Sequence, residues 1–184
     1  MRKHTKDLAL IAFMSIFIAI CSWIAIPMVV SFTLQTFAIF FTLRLLGGKK
    51  GLIAIALYII LGLIGVPVFS GFKSGFATLI GPTGGYIWGF LACALIYLAF
   101  EKFLDNKIVL YIVMFSGLTI CYLIGTIWFV FVMSNNGDNF TFAQALLVCV
   151  VPFIIPDIVK IIGANLLSQK ILNTLFQKNE LITK

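Results

Sequence analysis

Residues 8 to 26, LALIAFMSIFIAICSWIAI, run nineteen positions without a charged side chain. A helix rises roughly 1.5 Å per residue, so such a run reaches about the 30 Å of a bilayer's hydrocarbon core. Further apolar runs occupy 34–46, 51–66, 84–100, 108–132 and 156–176, which makes six. A chain whose apolar segments recur this densely has little sequence left for a polar coat: 62% of its 184 residues are hydrophobic, 10% are charged, and the mean hydropathy is +1.16. The expectation is an all-α integral membrane protein: one six-span domain over 1–184, with no room for a separate soluble domain. The second and third runs are short for a straight crossing and must either lie where the bilayer is thinned or extend into their loops. The first run is a full span with no small-residue cleavage pattern after it, so it is expected to stay.

The basic residues orient the spans. Arg2, Lys3 and Lys6, then Arg44, Lys49 and Lys50, then Lys102 and Lys107, then Lys170, Lys178 and Lys184 fall on one side of a six-span chain. Only Lys73 falls on the other, and Lys160 lies within the last span. The excess of Lys and Arg marks the cytoplasmic side, so both termini are expected in the cytoplasm of a plasma-membrane protein. This asymmetry accounts for the net charge of +7 without a nucleic-acid partner.

Four cysteines, Cys21, Cys93, Cys121 and Cys149, stand far apart in apolar runs, with neither metal-ligand spacing nor a paired disulfide arrangement; they read as small packing residues. No GxxxxGK[ST] phosphate loop is present, so any ATP hydrolysis belongs to a partner. An intramembrane protease would need a second aspartate on a facing span, or a serine with a base; the spans hold only Asp157, and the single histidine is His4.

Three loops lie opposite the basic side. They are 27–37, nearly uncharged, with Thr33, Gln35 and Thr36; 66–86, with five glycines between Gly71 and Gly85; and 134–155, whose middle suits a short helix or re-entrant element ended by Pro152. Irregular backbone at membrane depth must be buried in protein or line a cavity, which implies an outward-opening pocket. Pro156 fits the first turn of the last span, and that would put Asp157 beside the helix's positive end with Lys160 three residues on. The pair either binds a ligand or is an interfacial ion pair with Lys160 snorkelling outward; charges inside a span favour the first.

The segments FTLQTF (32–37), LYIILGLIGVPVFSG (57–71), GPTGGY (81–86) and PFIIPDIVK (152–160) resemble, in order and spacing, the signatures of BioY proteins, the biotin-specific S-components of energy-coupling factor (ECF) transporters. Ser31 stands where many members have proline, and 125–139 carries no matching segment. The resemblance implies a six-helix subunit that binds biotin from outside with high affinity and works with a transmembrane coupling subunit and a pair of cytoplasmic ATPases. Biotin is then the transported ligand, with no cofactor. The family's acid and lysine carry over to Asp157 and Lys160, and its glycine-rich segment to Gly84, Gly85 and Tyr86. Asp157 offers an acceptor for ureido N–H groups; Lys160 offers a donor for either the ureido oxygen or the tail carboxylate.

Other candidates have two readings each. Gln35 reaches the ligand or caps span two; Tyr86 stacks on the bicycle or sits in an interfacial belt; Thr83 and its neighbouring glycines admit the ligand or merely turn the chain. Lys73 reads as a solvated loop charge. Ser15 and Ala19 form a small-residue stripe that either receives the coupling subunit or packs within the protein. Two alternatives to the ECF subunit remain: a stand-alone secondary carrier in which Asp157 binds a coupling proton, and the same scaffold tuned to another vitamin.

Overall fold

The computed structural model describes residues 2–138 and 140–182, with side chains over 4–138 and 140–174. The side chains of Arg2, Lys3 and Lys178, and all of Lys184, therefore lie outside the described residues. Among the described residues eight α-helices follow in order: α1 (Arg2–Trp23), α2 (Gln35–Leu46), α3 (Gly48–Leu63), α4 (Phe76–Ile80), α5 (Gly84–Ala99), α6 (Lys107–Asn135), α7 (Phe142–Cys149) and α8 (Val151–Ile182). A two-stranded antiparallel ribbon, β1 (Ala25–Ile26) and β2 (Phe32–Thr33), lies between α1 and α2, with Ala25 opposite Thr33 and Ile26 opposite Phe32.

Each apolar run lies largely within one of α1, α2, α3, α5, α6 and α8. Among the described residues, three helices are long and apolar enough to cross a membrane: His4–Trp23, Lys107–Asn135 and Val151–Thr174. α2 and α5 are apolar but shorter, at 12 and 16 residues. The exterior differs from that of a water-soluble protein, for it is as apolar as the core, while several polar side chains are buried. Phe13, Ile112 and Ile127 are 61%, 58% and 60% exposed, while Ser15, Ser22, Thr126, Asp157 and Lys160 are buried. An apolar exterior around a partly polar interior is stable only where the solvent is itself apolar.

The six long helices alternate in direction. α1 and α3 run parallel, through Lys50 on Asp7 and the Ser15 hydroxyl on the Ala54 carbonyl. α6 and α8 run antiparallel, through Tyr122 to Asp157 and Asn165 to Tyr111. Arg44, Lys49, Lys50, Lys102 and Lys107 thereby gather at one end of the bundle, and the ribbon, α4 and α7 at the other.

α5 and α6 make the most extensive helix–helix contact. On α5, Gly85, Gly89 and Cys93 recur every four residues; on α6, Gly117, Cys121 and Gly125 do the same, and the two rows meet in antiparallel register. A Cβ on Gly89 would come within 2.9 Å of the Cys121 Cα, and one on Gly125 would overlap the Tyr86 ring. Small side chains at four-residue spacing let backbones approach closely, which is how helices associate where no hydrophobic force separates them from lipid. Cys93 and Cys121 belong to this stripe, with Cys93 Sγ 3.0 Å from the Gly117 carbonyl oxygen; Cys21 on α1 and Cys149 on α7 are, like them, free and buried.

Two expectations need correction. The last span does not begin at Pro156: α8 starts at Val151, so Pro152 occupies the first turn and Pro156 lies inside the helix, where its missing N–H leaves the Pro152 carbonyl without its usual partner. Asp157 is therefore in the second turn, beyond the reach of the terminal dipole. The loop 134–155 does form a short helix, α7, opened by a Thr141–Gln144 capping box, but it ends at Cys149, before Pro152. Of the two readings of Ser15 and Ala19, packing within the protein holds: both are buried, and the Ser15 hydroxyl donates to the Ala54 carbonyl on α3 at 2.8 Å.

Candidate functional site

The end of the bundle that carries the irregular segments encloses a cavity of about 160 Å³. A single water needs roughly 10–15 Å³ on the same measure, so this is a vessel rather than a packing defect.

Its floor is a buried charge cluster. Lys160 Nζ donates to Asp157 Oδ1 at 2.7 Å and to the Thr33 carbonyl at 2.6 Å, and lies 4.0 Å above the centre of the Phe32 ring. The Tyr122 hydroxyl donates to Asp157 Oδ2 at 2.6 Å. Both charged side chains are almost fully enclosed, at 4% exposure for Asp157 and 7% for Lys160, so Lys160 does not snorkel to a surface. An unpaired charge there would be very costly, and mutual neutralisation with further hydrogen bonds keeps the cost bearable.

Local structure explains the arrangement. Asp157 and Lys160 share a face of α8 because three residues make almost one helical turn. The β1–β2 ribbon turns the chain so that Phe32 and Thr33 lie over that face, and Phe32 also stacks on Phe153 with centroids 6.1 Å apart. Tyr122 comes from the middle of α6. A ligand would therefore meet a carboxylate with acceptor capacity to spare, since a carboxylate offers about four lone-pair sites. The lysine's donors, by contrast, already face a carboxylate, a carbonyl and a ring.

The remaining candidates divide. Gln35 opens α2 but does not cap it; its backbone N–H is taken by Thr33 Oγ1 at 3.2 Å, while its side-chain amide donates to the Tyr58 hydroxyl at 2.7 Å on the cavity wall. Tyr86 is only 8% exposed, so it is no interfacial belt residue; it lines the cavity with its hydroxyl 3.3 Å from Thr126 Oγ1. Thr83 lines the cavity as well. Gly84 and Gly85 do not. A Cβ on Gly84 would overlap the Leu79 backbone and one on Gly85 would overlap Trp128, so the two glycines let α5 start close against α4 and α6, which sets Thr83 and Tyr86 at the wall. Lys73, read as a solvated loop charge, is exposed but also lines the cavity.

Tyr122 and Tyr58 were not singled out from sequence. The available signal was a tyrosine in mid-span, away from the interfaces where membrane tyrosines concentrate. Among the described residues no group of His, Cys, Asp and Glu could hold a metal ion.

All four signature segments contribute to the cavity wall: Thr33, Gln35 and Thr36 from 32–37, Tyr58, Phe69 and Ser70 from 57–71, Thr83 and Tyr86 from 81–86, and Phe153, Asp157 and Lys160 from 152–160. A family model described as the BioY family matches residues 1–177. The chain belongs to the BioY family. It is 38% identical to the biotin transporter BioY of Thermotoga maritima over 84% of this chain and 88% of that protein. Similarity to the biotin transporter BioY2 of Lactococcus lactis subsp. cremoris is 34% identity over 98% of this chain and 99% of that one. The fold also matches a 2.1 Å crystal structure of the S-component for biotin from an ECF-type ABC transporter, with a TM-score of 0.82 and 30% identity over 94% of this chain and 93% of that one. Of segment 125–139, which carries no BioY signature, the described residues 125–138 lie in the last turns of α6 and the connection after it, and none of them lines the cavity.

Proposed function

We propose that this BioY protein is the biotin-binding subunit of an ECF-type uptake transporter, taking biotin from the extracellular side. It is not an enzyme; ATP hydrolysis belongs to a pair of cytoplasmic ATPases that join it through a transmembrane coupling subunit. In this reading all six long helices cross the plasma membrane, both termini are cytoplasmic, and biotin is cargo with no cofactor beside it. The observation that carries the proposal is the buried Asp157–Lys160–Tyr122 cluster beneath a cavity walled by the four signature segments.

Biotin's ureido ring presents two N–H donors and one carbonyl. Asp157 accepts from the N–H groups with its spare lone pairs, and Gln35 and Tyr86 supply further polar contacts around an otherwise apolar wall. Thr83 lines the opening, while Gly84 and Gly85 act by setting the backbone of α5. A vitamin lacking the matching groups would leave buried donors and acceptors unpaired, at about 1–3 kcal/mol each. The apolar ribbon and the glycine-bearing segment 66–86 cover the cavity and are attached to the end of α1: Trp23 Nε1 donates to the Pro67 carbonyl at 2.8 Å, and the Leu34 N–H to the Ile24 carbonyl at 3.3 Å.

Calorimetry of the purified protein should give saturable, one-to-one biotin binding without ATP. Topology is tested separately, with Ser31→Cys or Thr83→Cys in a background free of the native cysteines: an impermeant thiol reagent should label either residue from outside, and biotin should slow the reaction. Labelling from the cytoplasmic side alone would reject the orientation. Concentrative uptake by this chain alone in liposomes, driven by a proton gradient, would point instead to a secondary carrier.

A further inference from the structure

Among the described residues three charged side chains line the cavity: Asp157, Lys160 and Lys73. The first two neutralise each other at 2.7 Å, which leaves the lining with one positive charge in surplus. That surplus resides on Lys73, in the loop between α3 and α4, and among the described residues no carboxylate pairs with it. Close by in the chain, Ser70 also lines the cavity, and its hydroxyl is buried with no hydrogen-bond partner among the described residues. A site with a free cation and an unused hydroxyl is matched to a monoanion.

The loop holds this arrangement against backbone preference. Gly71 and Phe72 both have positive φ, at 71° and 58°, a conformation that a bulky residue rarely adopts. Phe72 is held there by stacking on Trp23 with ring centroids 5.1 Å apart, and the Phe69 N–H bonds to the Lys73 carbonyl at 3.0 Å, closing the loop. Phe69 is in turn seated on Gly62, where a Cβ would overlap its ring. Local strain supported from outside the loop is characteristic of segments held for a purpose.

We infer that Lys73, assisted by the Ser70 hydroxyl, receives the carboxylate at the end of the ligand's tail, so that the ligand lies with its ureido ring on Asp157 and its tail toward the loop. This rests on the reading of the cavity as a biotin site. It also decides which end of biotin lies near Lys160: the lysine's donors are already engaged, so the ring is at its end and the carboxylate is not. Lys73 then selects for the free acid over neutral tail derivatives. Being exposed, it contributes through a screened contact, worth about fivefold in affinity and weaker in high salt.

The test is a pair of titrations, biotin against biotinamide, whose tail carries no charge. The wild-type protein should prefer biotin by about fivefold at low ionic strength, with the preference shrinking as salt rises. Lys73→Gln should bind both equally, at the affinity the wild type has for the amide; Lys73→Arg should keep the preference; Ser70→Ala should reduce it. Equal losses for acid and amide in Lys73→Gln would mean that the residue only shapes the loop, and a preference that survives Lys73→Gln would place the carboxylate elsewhere. Either result overturns the inference while leaving biotin binding intact. Failure of the wild type to bind either compound would remove the biotin reading, and this inference with it.

Discussion

Two ion pairs of the same length, 2.7 Å, hold this molecule at its two ends. Lys50 and Asp7 join α3 to α1 at the basic end, with side chains 41% and 33% exposed. Lys160 and Asp157 lie under the cavity at 7% and 4%. Distance alone would rank them equal. Burial separates them, because water screens and partly replaces the first pair, whereas the second has exchanged its hydration for Tyr122, the Thr33 carbonyl and the Phe32 ring. The outer pair fastens two helices. The inner pair keeps open a polar site that an all-apolar floor could not supply.

The largest effects should come from breaking the inner pair on one side. Asp157→Asn leaves the lysine buried without its counter-charge, for which the expected cost is about 3–5 kcal/mol of stability. Biotin affinity should fall by roughly tenfold or more, since the amide offers ureido N–H groups a mismatched donor. Thermal unfolding in detergent and calorimetry read the two effects separately. An Asp157→Leu, Lys160→Met double variant sharpens the comparison: replacing both charges with apolar groups should restore much of the stability without restoring binding. If binding returned with stability, the pair would be structural only.

Next in size is Tyr122→Phe. It removes one hydroxyl from Asp157 Oδ2 and leaves ring packing unchanged. A hydrogen bond to a charged group is worth about 1.5–3 kcal/mol, so a measurable loss of thermal stability is expected. Biotin affinity should also shift, because the freed oxygen lies at the cavity floor. An unchanged melting temperature together with unchanged affinity would show that the tyrosine is a bystander.

The helices were legible in the sequence for the same reason that the inner pair was. Uninterrupted apolar runs mark helices, and two opposite charges set in such a run stand out against it. What could not be read depended on partners distant in the chain. Pro152 and Pro156 both suit a helix's first turn, and only the packed structure, in which Phe153 stacks on Phe32, shows the helix beginning at Val151. Tyr122 is separated from Asp157 by 35 positions and meets it only once α6 lies antiparallel to α8. Gly84 and Gly85 were visible as glycines suited to a turn or a close approach. Their packing role became visible only beside Leu79 and Trp128. Lys73 is exposed, as a loop charge suggests, but its place beside the cavity was not legible, because sequence gives no hint of which cavity a loop borders.

The smallest effect should be at the outer pair. Lys50→Met removes the cation beside Asp7 and leaves the aliphatic stem largely in place. Exposed pairs are typically worth about 0.2–1 kcal/mol, and much of that disappears as salt rises. The variant should therefore unfold within a few degrees of the wild type, with the difference narrowing at high ionic strength, and should bind biotin with unchanged affinity, since Lys50 lies at the far end of α3 from Tyr58 on the cavity wall. A loss of biotin affinity in Lys50→Met would break the comparison. It would mean that the contact between α1 and α3 is transmitted along those helices to the loop that Trp23 and Ser22 hold at Pro67 and Val68, so that the basic end of the bundle governs how tightly the cavity is covered.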